Sequence, residues 1–108
     1  MVQALIPVDV VIHAEWAAQE LVGAVAGACH PRGPMTLSVL FDEFSLDLDL
    51  RYEGEMFPTV KEKPSIDEMV ADDEGLRRMS SYLLGRRARR LTTSRDGDVC
   101  KVTLHFDN

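Results

Sequence analysis

Apolar and charged residues alternate with a period of two in two stretches, Leu46-Asp47-Leu48-Asp49-Leu50-Arg51-Tyr52 and Cys100-Lys101-Val102-Thr103-Leu104-His105-Phe106. Successive side chains of an extended chain point to opposite faces, so each stretch is expected to be a strand with one dry and one wet face. On the wet face the charges come singly along the sequence, with no clustered chemical site. A third stretch, Leu37, Val39 and Phe41 alternating with Thr36 and Ser38, is also expected to be a strand. The apolar positions change from odd to even numbers across Asp42-Glu43-Phe44-Ser45, which predicts a tight turn between this strand and the one that Gly54 ends. Further on, Asp96-Gly97 predicts a hairpin between a strand from about Arg89 to Arg95 and one from Val99 to Phe106.

Elsewhere the period is helical. From about Asp9 to Cys29, the residues Val11, Ala14, Ala18, Leu21, Val22, Val25 and Ala28 fall on one stripe. Asp9 is the expected N-cap, and His30-Pro31-Arg32-Gly33-Pro34 ends the helix because proline cannot continue it. Residues 54–64 contain Gly54, Pro58 and Pro64 around Lys61-Glu62-Lys63, and are expected to form a mobile connection. Ser65 and Glu68 have the spacing of a capping box and open a short helix to about Ala71. A second helix is expected from Asp73, with Leu76, Met79, Leu83 and Leu84 toward the core. Its acidic start (Asp72, Asp73, Glu74) and basic end (Arg86, Arg87) suit the helix dipole. About three helices and four strands, each with one apolar face, predict an α/β (α+β) two-layer sandwich. The helices lie on one side of a mostly antiparallel sheet.

The 108 residues fit a single domain, 1–108, with one modest core, and the 45% hydrophobic and 28% charged content is ordinary for a globular protein. Charge is unevenly spread. Residues 1–76 carry 4 basic against 15 acidic side chains, a balance of −11, while residues 77–108 carry 8 against 3, or +5. The acidic total argues against nonspecific nucleic-acid binding, with a small local exception left open by the basic C-terminal third. The basic residues Arg77, Arg78, Arg86, Arg87, Arg89 and Arg90 form a candidate interaction patch for anionic lipid headgroups or an acidic partner. Cys29 and Cys100 sit in apolar sequence and are expected to be buried free thiols. The run from Ala17 to Pro31 contains Glu20, His30 and several glycines and is no bilayer span. The N-terminus lacks the basic start and cleavage pattern of a secretory signal.

Other chemistry is sparse. His13, His30 and His105 have no metal-ligand spacing. Cys29-His30 are adjacent and form no nucleophile–base pair, and Ser80-Ser81 have no base within sequence reach. Trp16 is expected to face the core or a partner.

The order of elements resembles the nucleotide-binding domain of the Bergerat-type ATPases, the group of gyrases, histidine kinases and anti-sigma-factor kinases. The resemblance rests on a helix bearing Glu20, the strand pair ending at Tyr52-Glu53-Gly54, a variable segment, a helix opening at Gly75-Leu76 and a closing hairpin. It implies where nucleotide contacts would fall. The family's magnesium asparagine, four residues after the glutamate, is here Ala24, whose methyl group cannot hold a hard cation. The aspartate that reads adenine is replaced by Tyr52, before Gly54, and the glycine-rich phosphate loop is reduced to Gly75. The resemblance therefore implies an eroded site at Glu20, Ala24, Tyr52, Gly54 and Gly75, with no cofactor, no metal and no catalysis.

A second resemblance is to bacterial xanthine/uracil permeases that carry a cytoplasmic domain after their membrane helices. It is carried by Met35-Thr36-Leu37-Ser38-Val39-Leu40-Phe41-Asp42-Glu43-Phe44-Ser45-Leu46-Asp47-Leu48, by Arg51-Tyr52-Glu53-Gly54 and by Val102-Thr103-Leu104-His105-Phe106-Asp107. It implies the tail of a nucleobase transporter, on the cytoplasmic side of the inner membrane, with Met1 an artificial start. The implied role is non-catalytic regulation or assembly through the transporter's membrane domain or a regulatory protein, with self-association into a homodimer left open. The alternatives are a stand-alone anti-sigma-factor-like switch that binds a partner, with or without ATP, and an unrelated enzyme whose site is assembled from scattered residues.

Overall fold

The computed structural model describes residues 8–41, 44–60 and 62–107, with side chains from Ile12 onward. Its elements are α1 (Val8–Ala28), β1 (Thr36–Phe41), β2 (Ser45–Glu53), α2 (Ile66–Ala71), α3 (Asp73–Arg87), β3 (Arg90–Asp96) and β4 (Val99–Asp107). The four strands form one wholly antiparallel sheet in the order β1-β2-β4-β3. Helices cover one face of it, giving the two-layer α+β arrangement expected. Among the described residues no helix is long and apolar enough to cross a membrane.

The core forms where the periodicities meet. Leu46, Leu48, Leu50 and Tyr52 of β2 and Cys100, Val102, Leu104 and Phe106 of β4 make up the dry face. Ala14, Ala17, Leu21, Val25 and Cys29 descend on it from α1 and its end. Asp9, the expected N-cap, lies within α1 as described from Val8, and the residues before Val8 lie outside the described ones. Asp42 and Glu43, the first two residues of the predicted turn, lie outside the described residues. The pairing of Phe41 with Leu46 leaves only four residues for that connection.

Four expectations are corrected. Leu76 and Leu83 are exposed, and the buried line of α3 runs instead through Gly75, Met79, Ser81 and Leu84. The reason is Gly75, which lets the backbone of α2 lie directly on α3 and turns the helix. The second hairpin loop is Gly97-Asp98, one residue later than expected, because Asp96 still pairs with Val99. Gly97 takes φ +62 there, a conformation that a two-residue hairpin loop asks of its first position. The connection expected to be mobile is anchored in its first part, residues 54–60: Phe57 is fully buried, and the Ser81 hydroxyl donates to the Pro58 carbonyl at 2.5 Å, while Lys61 lies outside the described residues. Finally, all of β1 is exposed, although its alternation matched that of a half-buried strand.

Caps set the helix boundaries as the residue types require. The Ser65 hydroxyl accepts from the Glu68 amide at 3.1 Å, which caps α2 as the spacing predicts, and donates to the Glu68 carboxylate at 3.3 Å. Asp72, in extended conformation, accepts from the Gly75 amide at 2.8 Å and opens α3.

A Cβ on Gly75 would collide with the backbone carbonyl of Glu68, whereas one on Gly85, in the same helix, meets open space. Gly75→Ala is therefore expected to destabilise by about 1–3 kcal/mol through overpacking. Gly85→Ala is expected to gain up to about 1 kcal/mol through helix propensity. Urea midpoints of the two variants should move in opposite directions.

Candidate arginine cleft and the C-terminal end of the first helix

The residues singled out by the resemblance to nucleotide binders line none of the four clefts described below. Glu20 is exposed on α1 and Ala24 is half-buried against the core. Tyr52 is buried, and its hydroxyl donates to the Glu55 carbonyl at 2.7 Å. Burial pushes both the Tyr52 phenol and the Cys29 thiol up from their ordinary pKa values. Gly54 is needed for packing, because a Cβ there would lie 2.7 Å from the Cys29 carbonyl oxygen. None of four surface clefts is lined by Glu20, Ala24, Tyr52, Gly54 or Gly75.

Tyr52, Gly54 and Arg77 instead close the end of α1. A helix leaves its last carbonyls without partners. The Glu55 amide donates to the Cys29 carbonyl at 2.8 Å, and the Arg77 guanidinium donates to the Ala28 carbonyl. Arg77 also pairs with Glu55 at 2.7 Å. His30, at φ +49, turns the chain out of the helix, and its Nε2 meets Asp73 at 2.6 Å on the surface. Cys29 and Cys100 are both buried free thiols, as expected.

Arg77 thus sits apart from the candidate patch, and exposed Arg78 follows it near the start of α3. Arg86, Arg87, Arg89 and Arg90 gather at the other end, where α3 passes into β3. Arg86, Arg89 and Arg90 line a cleft of about 400 Å³ together with Thr59, Ser81, Tyr82 and Leu91. The Arg86 guanidinium lies 5.9 Å from the centre of the Tyr82 ring, and Arg87 lies 4.7 Å from that of Trp16. Trp16, Leu83, Arg86 and Arg87 line an adjoining cleft. Arg89 pairs with Asp107 at 3.2 Å between exposed side chains, a contact worth little by itself. The contribution of Thr59 and Tyr82 was not legible, since neither has a sequence signal linking it to the arginines.

The wet face of the sheet is more organised than its alternation suggests. Asp47 lies opposite His105 and Asp49 opposite Thr103 in the register of β2 and β4. His105 Nδ1 meets Asp47 at 2.5 Å and Nε2 meets Asp107 at 2.9 Å. The Thr103 hydroxyl donates to the buried Asp49 carboxylate at 2.7 Å, and the Lys101 ammonium lies 3.8 Å from it. The charges read as single are therefore linked across strands. His13 is exposed, and no group of three or more acidic, His or Cys side chains suited to a metal ion occurs among the described residues. No family model matches the chain, and neither a curated protein nor a solved structure does so.

The hydrogen bond to Asp47 raises the His105 pKa above its ordinary 6.5, aided by Asp107 and opposed by burial. The folded state therefore holds this proton more tightly than the unfolded chain does. Its stabilisation is complete below about pH 6.5 and is lost as pH rises through the folded-state value. Urea midpoints of the wild-type chain are expected to fall from about pH 6 to pH 9. The same series for His105→Gln should be flatter, and equal slopes would remove His105 as the cause.

Proposed function

We propose that this chain is a non-catalytic interaction domain whose contact site is the arginine cleft at the junction of α3 and β3. The observation that carries this reading is the convergence of Arg86, Arg89 and Arg90 on one cleft with the side chains of Thr59, Ser81 and Tyr82. Guanidinium forks with nearby hydroxyl-bearing residues suit a phosphate or carboxylate. The strong acidity of residues 1–76 leaves this end as the basic pole of the chain.

The resemblance of the strand segments to xanthine/uracil permeases supports a placement for that pole. In this reading the domain is a regulatory or assembly element on the cytoplasmic end of a nucleobase permease, with a Bergerat-like layout that has lost its nucleotide site. Its basic pole then faces the anionic headgroups of the inner leaflet. Each arginine near such a surface contributes about 1 kcal/mol. Nucleotide binding does not enter this reading, because Gly54 and Gly75 have packing reasons to be glycine.

Cosedimentation with vesicles tests the cleft. Binding is expected to vesicles rich in phosphatidylglycerol at low salt, and not to neutral phosphatidylcholine. Replacing Arg86, Arg89 and Arg90 together by Gln should weaken it on the order of a hundredfold. No binding at low salt, or binding unchanged in the triple variant, would remove the proposal. A thermal scan with millimolar ATP and Mg²⁺ is expected to leave Tm unmoved. A nucleotide at 100 times its Kd would add about 2.7 kcal/mol of stability, and such a gain would favour the anti-sigma-factor-like switch.

A further inference from the structure

We propose that two copies of this chain associate through β1, pairing antiparallel about a two-fold axis to join their sheets into one of eight strands. The inference rests on β1 and is independent of the arginine cleft.

The two margins of the sheet differ in chemistry. β3 carries Arg90, Arg95 and Asp96, and charges on an edge strand oppose pairing with another chain. β1 reads Thr36-Leu37-Ser38-Val39-Leu40-Phe41, with no charge and no proline. An edge strand of this kind presents a row of backbone donors and acceptors ready for a partner strand.

The side chains point the same way. Leu37, Val39 and Phe41 lie opposite Leu50, Leu48 and Leu46, and opposite residues in an antiparallel pair share a face. They therefore belong to the dry face. Yet they are 43%, 49% and 57% exposed, while their β2 neighbours are 6% or less. The helices approach the sheet chiefly over β2 and β3, so the apolar row runs out from under its cover at β1. On the opposite face Leu40 is 61% exposed.

A second copy fits this strand by charge and by register. The chain carries −6 overall, and copies meeting through most of the surface would bring acidic groups together. At β1 they meet without charge. With Val39 on the axis, Leu37 of each copy lies opposite Phe41 of the other and Ser38 opposite Leu40. Six side chains then extend the two cores into one apolar row, as a self-complementary two-fold contact requires. A six-residue strand contact lies at the small end of stable interfaces, so the association is expected to be micromolar.

Sedimentation velocity on the full chain, from about 1 to about 500 µM, reads the result. The expected outcome is a concentration-dependent rise from one chain mass to two. Val39→Lys sets like charges face to face at the axis and should hold the chain monomeric throughout, with an unchanged circular-dichroism spectrum. Thr92→Lys, on the opposite edge strand, should dimerise as the wild type does. Leu40→Lys, on the other face of β1, gives a second reading if Val39→Lys loses its fold. A wild-type chain that stays monomeric at the highest concentration overturns the proposal and leaves the strand for a different protein. A dimer that survives both β1 substitutions overturns it too.

Discussion

The closure of the C-terminal end of α1 holds the two layers in register. Two of the helix's last carbonyls, Ala28 and Cys29, are met by a side chain from α3 and an amide from the residue that follows Gly54. Hydrogen bonds to a charged group contribute about 1.5–3 kcal/mol, and an unmet buried carbonyl costs a comparable amount. The same few atoms therefore fix the height of α1 over β2 and the approach of α3. Tyr52, Gly54 and Cys29 are specified by this junction: the phenol satisfies the Glu55 carbonyl, the glycine permits the close approach, and the thiol fills the space beside them.

That dependence accounts for Tyr52 and Gly54, neither of which lines the clefts described above. Tyr52-Glu53-Gly54 is the stretch of sequence on which the expected likeness to nucleotide binders rests. Here the ring is core and its hydroxyl serves the backbone. Gly75 likewise has a local task, the contact between α3 and the α2 backbone. Both glycines are thus explained by neighbours within about one residue diameter, with no ligand required.

Elements with strong internal patterning were legible in the sequence. The alternation of β2 and β4 and the cap at Ser65 all stand at or within a residue of their expected places. What failed depends on neighbours distant in sequence. Leu76 and Leu83 have helical spacing, but the docking of α2 at Gly75 selects another stripe. Phe57 gives no periodic signal because a single buried anchor has no period. The β1 alternation correctly marks which face is dry, but whether helices reach that far is a property of the layer above. Of the basic residues, four of the six in the candidate patch come together. Arg77 is separated from them by two and a half turns of helix and is drawn into the core junction. The link between Asp47 and His105 could have been found from register, had the pairing of β2 with β4 been assumed.

The charged β3 margin also limits growth. A sheet receptive on both sides could add copies without end, the geometry of a fibril. Here Arg90, Arg95 and Asp96 guard one side, so in the proposed pair a copy that joins through β1 leaves only the charged margin of the described sheet open. The proposed pairing is thus self-terminating, a closed pair and not an open stack of copies.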